Sequence, residues 1–285
     1  MIRIGTCSWK YDSWKGIIYP DKEEFNYLAE YSKHFNTVEV DQWFWSLFEP
    51  KKAVLPKESD VKSYADSVSD KFRFTIKIPN SITLTHFYNK NKTEELKPNP
   101  FFLKTDLFEK FLETLKPMKK NIGVLMFQFE YLNKQKISGF TEFLDRFESF
   151  IESLDKKYVY GVEIRNPNFL KKPFFEFLER NKLAMVFLQG YYMPPIWEVF
   201  NEYKDHIKST AIIRLHGPDR SGIEKKTGSI WNQIIEPKDE ELEKVAEIIH
   251  YLKNKKVDTY VNVNNHYEGS APLTIQKINK RIKNY

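Results

Sequence analysis

Four short runs of the chain carry charged or amide side chains at every second position: Val38-Glu39-Val40-Asp41, Val162-Glu163-Ile164-Arg165, Ile213-Arg214-Leu215-His216 and Val261-Asn262-Val263-Asn264. Successive side chains of an extended strand point to opposite faces, so each run offers an aliphatic face for packing and a polar face for chemistry. Glu163 and Arg165 then stand about 7 Å apart along one face, at about 3.3 Å per residue. That spacing suits a ligand bridging an acid and a guanidinium, and it equally suits separate partners on neighbouring strands, with Gln128 serving Glu163. Glu39 and Asp41 repeat the geometry beside Lys77. If Glu39 pairs with Lys77, both keep their charges; if it is shielded from Lys77, burial raises its pKa and makes it an acid or base. Arg214 and His216, next to Asn262, Asn264 and Asn265, supply donors for an oxyanion, and His216 is the histidine best placed for proton transfer near neutral pH.

These considerations give Glu163, Glu39 and His216 as candidate catalytic residues. The candidate substrate-binding residues are Arg165, Arg214, Asn264, Asn265, Lys77, Gln128, Trp9 and Asp41. The competing reading of the same residues is a structural ion-pair network with satisfied amides. Arginine usage bears on this choice: of eight arginines, Arg3, Arg73, Arg165 and Arg214 fall in strand runs. The guanidinium is the cation suited to bidentate pairing in partly buried places, so interior pairing or anion binding is expected.

Eight strand patterns can be read, over 3–6, 37–40, 73–78, 123–127, 161–164, 184–187, 212–215 and 260–263. Between them apolar residues recur at helical spacing, as in Leu107, Phe111, Leu115 and in Leu242, Val245, Ile249, Leu252, with a last helix over 273–282. The second helix is the faintest, carried by Val61, Tyr64, Ala65 and Val68 after a possible Ser59 cap. Strict alternation implies a parallel sheet, and eight repeats of it point to an α/β fold, a single (β/α)8 TIM-like barrel covering 1–285. In such barrels the strand-to-helix loops at the C-terminal face build the active site, and the longest connections here, 42–59, 79–104 and 216–238, do follow strands. All six tryptophans fall in strand-to-helix segments, where they either stack on sugars or bases or pack beneath the loops. The segment 217–228, with Arg220, Lys225 and Lys226 among glycines, reads as a mobile basic lid.

Composition removes several classes of function. The single cysteine, Cys7, excludes an intramolecular disulfide and any multi-cysteine metal site, and six histidines without an HExxH pattern do not supply a multi-metal centre. No cofactor is implied and no metal ligand set is assigned, although Glu39, Asp41, Glu163 and His216 could together hold one divalent ion. Cys7 lacks a histidine partner identifiable from the sequence. With no apolar run near 18 residues and no signal-peptide core, a cytoplasmic protein without membrane contact is expected. A net charge of +6, from 45 basic and 39 acidic residues, mildly favours anionic partners.

Ile4-Gly5-Thr6-Cys7-Ser8-Trp9, then Trp14-Lys15-Gly16 and Tyr19-Pro20, resemble the start of the YecE-like family, labelled domain of unknown function 72. Further matches follow in family order: His34-Phe35-Asn36-Thr37-Val38-Glu39, Phe72-Arg73-Phe74 with Lys77 and Pro79, Phe127-Gln128, Glu163-Ile164-Arg165-Asn166-Pro167, Arg214-Leu215-His216-Gly217 and Val263-Asn264-Asn265. The resemblance implies a TIM-barrel-like fold and no known reaction. Asp41-Gln42-Trp43-Phe44-Trp45 and Leu188-Gln189 depart from the pattern of the family. The leading expectation is an enzyme of hydrolase, lyase or isomerase type acid/base chemistry acting on an anionic, phosphate- or sugar-containing small molecule. A nucleic-acid-binding or repair-associated protein and a non-catalytic ligand sensor are the alternatives.

Overall fold

A computed structural model describes residues 1–48, 52–88 and 95–284. Eight parallel strands close into a barrel: β1 (Ile2–Cys7), β2 (Thr37–Val40), β3 (Arg73–Lys77), β4 (Ile122–Gln128), β5 (Tyr160–Glu163), β6 (Ala184–Gly190), β7 (Thr210–Gly217) and β8 (Asp258–Val263). Each is paired with its sequence neighbours, and β8 returns to β1, with Thr6 opposite Val263. The fold is therefore the TIM-like barrel expected from the alternation of patterns.

A helix follows each strand: α1 (Tyr27–Ser32), α2 (Glu58–Asp66), α3 (Thr105–Thr114), α4 (Phe140–Ile151), α5 (Lys172–Arg180), α6 (Ile196–Tyr203), α7 (Asp239–Asn254) and α8 (Ala271–Ile282). The outward strand residues Val38, Val40, Phe74, Ile76, Phe127, Val162, Ile213, Leu215, Val261 and Val263 share one core with the inner faces of these helices. In α4 that face is Phe143, Phe147, Phe150 and Ile151, each side chain contributing about 1.5–3 kcal/mol by leaving water. The expected Ser59 cap is corrected: α2 begins at Glu58 with Lys57 before it, which places Ser59 inside the first turn.

The inward parity changes character along the barrel axis. Near the strand N-termini, Val124, Met126, Ala184, Val186, Ile212 and Tyr260 form a separate apolar plug. One or two positions further on, the same faces carry Gln128, Arg214 and Asn262, joined by Glu39, Thr75 and Glu163. Strand register aligns this upper layer, with Glu39 opposite Thr75, Gln128 opposite Glu163 and Asn262 opposite Arg214. Arg3 and Arg73 lie at the other end: Arg3 stands 5.2 Å from the Tyr260 ring centre and Arg73 donates to the Asp70 and Phe72 carbonyls.

The long strand-to-helix segments carry structure of their own. After β2, Leu47–Phe48 pairs antiparallel with Lys52–Ala53; after β3 comes a short helix, Asn80–Thr83. After β7 the expected mobile lid is instead a helix, Arg220–Thr227. Asp219 caps it by accepting from the Gly222 N–H at 3.0 Å, and Gly228 ends it in the left-handed region at φ +58°. Among the described residues no helix is long and apolar enough to cross a membrane.

Candidate functional site

Arg214 stands at the centre of the polar layer. Its Nε and Nη2 hold the two oxygens of Glu39 at 2.7 and 2.6 Å, while Nη1 donates to Glu163 and, at 3.3 Å, to the Gln128 carbonyl. All three charged groups are essentially sealed, Arg214 at 2 % exposure, Glu39 at 0 % and Glu163 at 1 %. Asn262 adds its amide to Glu39 at 3.1 Å and to the Thr75 hydroxyl at 2.9 Å. Arg165, just beyond β5, bonds Glu163 at its end, Nε to Oε1 at 3.0 Å, while Glu163 also has a partner on another strand in Arg214. Burial alone would raise the Glu163 pKa, but the charges of Arg214, Arg165 and Lys77 outweigh it and hold the carboxyl at about 2. Glu39 and Glu163, the acid and base expected from the sequence, are thus counter-ions of one buried arginine.

Above this layer opens a cavity of about 520 Å³, a size suited to a small molecule. Asp41, Lys77, Gln128, Arg165, Arg214, His216 and Asn264 line it, as their strand-end positions suggested. Glu39 and Glu163 lie beneath it. Trp9 packs edge-on against Tyr64 in the core, and the Asn265 carbonyl accepts the Ala271 N–H at 2.9 Å at the start of α8, so neither reaches the cavity wall. The sequence did not assign Tyr11, Glu130, Tyr191, Arg220 and His266 to the site, although all five also line it. Their common signal is position, since each lies just beyond the end of a barrel strand.

The tryptophans differ in exposure, and Trp197 lies within α6 instead of in a strand-to-helix segment. Trp9, Trp14, Trp43 and Trp231 are buried under the loops, whereas Trp45 stands 66 % exposed at the cavity rim, edge-on to Tyr88. Gln189, one of the departures from the family pattern, is structural: it accepts the Ile196 N–H at 3.0 Å at the start of α6 and donates to Glu241 at 2.9 Å.

His216 does have a sulfur neighbour, Cys7 Sγ, 3.6 Å from Nε2. Both lie at strand ends on adjoining inward faces, which sequence spacing cannot reveal across more than two hundred residues. Burial first, then Arg214, Arg165 and Lys77, pushes the His216 pKa well below its usual value, so the ring is neutral at physiological pH. Burial and the Glu39 charge push the Cys7 thiol well up, which makes it a poor nucleophile. Cys7, Glu39 and His216 place three donor atoms within 4.8 Å of one another. Both Glu39 oxygens are already engaged by Arg214, and the cations that depress His216 also repel a metal ion, so this set fits a hydrogen-bonded floor better than a metal centre.

Two glycines allow the mouth to close around His216. A Cβ on Gly217 would meet the His266 carbonyl oxygen at 2.5 Å, and one on Gly190 would meet the Gly217 oxygen at 2.4 Å. That close passage brings Tyr191 over the cavity, its ring centre 5.0 Å from the Arg165 guanidinium.

The family model described as "Protein of unknown function DUF72" matches residues 3–285. The chain belongs to the DUF72 family. The UPF0759 protein YecE of Escherichia coli K12 is 27 % identical over 173 residues, 60 % of this chain and 51 % of that protein. The chain thus spans about half the length of the curated relatives it matches. A DUF72 protein of Enterococcus faecalis V583 superposes with a TM-score of 0.70 at 17 % identity, covering 99 % of this chain and 96 % of that one. One from Thermotoga maritima MSB8 gives 0.67 at 19 %, covering 99 % of each. At these identities the likeness to solved DUF72 structures concerns the barrel itself.

Proposed function

We propose that this DUF72 barrel is an enzyme that binds an anionic small molecule, phosphate- or sugar-containing, in the cavity above Arg214. One observation carries the reading: Lys77, Arg165 and Arg220 face the same cavity as Asp41 and Glu130, while the acids beneath it, Glu39 and Glu163, are taken up by Arg214 and Arg220 spends its Nε on Glu224. Arg165 spends only its Nε on Glu163 among the described residues, which leaves its terminal amino groups for an oxyanion. His216, held neutral at the cavity wall, is a hydrogen-bonding contact for the ligand in this reading, which corrects its expected part in proton transfer near neutral pH, and Asn264 is a donor to ligand oxygens. Glu39 and Glu163 act through Arg214, as positioning residues, in this reading.

Isothermal titration with glycerol 3-phosphate, against glycerol as the uncharged control, tests the binding step. The proposal expects heat from the phosphate ester alone and its loss in Arg165→Met; equal responses to ester and alcohol would refute it.

The exposed Trp45 and Tyr88 at the rim support a second reading, in which they stack on the bases of a single strand. A cavity of this volume favours the small molecule. Salt-dependent binding of an oligonucleotide that fails to compete with glycerol 3-phosphate would reverse that order.

A further inference from the structure

Lys77 holds chemistry that anion binding alone does not use. It ends β3 and reaches into the cavity, yet among the described residues it makes no hydrogen bond and no ion pair. Its recorded contact is the face of Phe44, 3.8 Å from the ammonium nitrogen to the ring centre, which fixes the amine in place against a wall. The acids that could have paired with it, Glu39 and Glu163, are instead bonded to Arg214. A half-buried amine, held still and left without a counter-ion, is arranged as a reagent more than as a scaffold.

We propose that Lys77 is a nucleophile that condenses with an anionic aldehyde or ketone in this cavity to form a Schiff base. The inference rests on the cavity being an anion site, because Arg165 and Arg220 are what would hold the substrate's charged end. The amine nitrogen adds to the carbonyl carbon and loses a proton as the carbonyl oxygen gains one, giving a carbinolamine. That hydroxyl takes up a proton from solvent and leaves as water, while the nitrogen lone pair closes the C=N bond. The sum is amine plus carbonyl plus one proton giving an iminium ion and water, with no change of oxidation state.

The charges around the amine favour this use. Burial and then the Arg214 charge lower the Lys77 pKa to about 8, against the opposing pull of Glu39, Glu163 and Asp41. Facing it are thus Arg214 from β7, Glu39 from β2, Glu163 from β5 and Asp41 just after β2. Near pH 7 about a tenth of the molecules then carry the free amine, far more than at an ordinary lysine. The resulting iminium keeps the positive charge, so the ion balance of the site survives the reaction.

The test uses glyceraldehyde 3-phosphate at substoichiometric concentration with cyanoborohydride, which reduces an iminium to a stable secondary amine, followed by peptide mapping. Lys77 is expected to be labelled about tenfold or more faster than any other lysine, with a rate that rises up to pH of about 8 and that glycerol 3-phosphate suppresses. Lys77→Arg, which cannot form the imine, should lose the selective label while the surface lysines keep theirs. If glycerol 3-phosphate binds the wild type but Lys77 is labelled no faster than surface lysines, the Schiff base is refuted and the anion site stands. If neither binding nor selective labelling occurs, both fall.

Discussion

Arg214 and Glu39 face each other across the barrel as a bidentate pair, Nε to Oε2 at 2.7 Å and Nη2 to Oε1 at 2.6 Å, with less than a few per cent of either side chain open to solvent. This one contact ties β7 to β2, strands far apart in sequence, and it decides the electrostatics of everything above it. By taking up Glu39 and one oxygen of Glu163, Arg214 leaves Lys77 without an ion pair among the described residues and Arg165 bonded to Glu163 through its Nε alone.

Removing Arg214 leaves Glu39 and Glu163 buried without their main partner. Arg214→Met is therefore expected to lose about 3–5 kcal/mol of stability, read as a lower urea midpoint. Pairing it with Glu39→Gln should cost less than the sum of the single changes, because each removes what the other leaves uncompensated. Additive losses would show that the two residues do not act as a unit.

Acid should unfold the protein partly through Glu163. Its folded pKa of about 2 lies below the ordinary value of about 4.3, so its contribution is complete above that value and disappears as pH falls toward 2. The group accounts for a loss on the order of 3 kcal/mol over that window. Glu163→Gln, less stable than wild type at pH 7, should have a shallower acid limb in denaturation profiles taken between pH 5 and pH 2. An unchanged limb would contradict the depressed pKa.

Lys77 works in the opposite direction. With a folded pKa of about 8 against about 10.4 unfolded, its charge is a cost to the folded state below pH 8, and that cost fades as pH rises to about 10. Lys77→Met should thus be more stable than wild type at pH 7, by up to about 3 kcal/mol, and the advantage should shrink at pH 10. A variant less stable than wild type at pH 7 would mean that the amine supports the fold.

Arg165 separates ligand binding from stability. Its side chain is 25 % exposed and Glu163 keeps Arg214 when it is lost, so Arg165→Met should weaken glycerol 3-phosphate about ten- to a hundredfold while lowering the urea midpoint less than Arg214→Met does. Equal affinities would place the anion elsewhere.

Most of the fold was legible in the sequence because eight period-two strand patterns alternate with period-three-to-four helix patterns, whereas the short elements inside the long strand-to-helix segments, such as Asn80–Thr83 and Arg220–Thr227, were not. The site was legible in part, for a related reason. Parity alone put Glu39, Glu163, Arg214 and Asn262 inside the barrel, but it could not say which of them bond, since register between strands is absent from any one strand's pattern. The alternatives weighed for Glu39 turned on Lys77, whereas its partner is Arg214, 175 residues away. Cys7 and His216 were missed as neighbours on the same ground. The segment after β7 reads as a mobile lid from its glycines and basic residues; the Asp219 cap and the left-handed Gly228 bound a helix there. Asn265 and Trp9 looked like site residues by place in the chain, but a helix start and a loop core claimed them.

The central claim, an anion held above Arg214 by Lys77, Arg165 and Arg220, is tested most directly by a crystal structure of the protein with glycerol 3-phosphate, grown without phosphate or sulfate. The phosphate is expected in the barrel mouth, hydrogen-bonded to the terminal amino groups of Arg165 with Lys77 and Arg220 alongside, and the Arg214–Glu39 pair unchanged beneath it. A mouth free of the ester at concentrations that saturate the protein in solution, with the phosphate bound at another surface, would contradict the account.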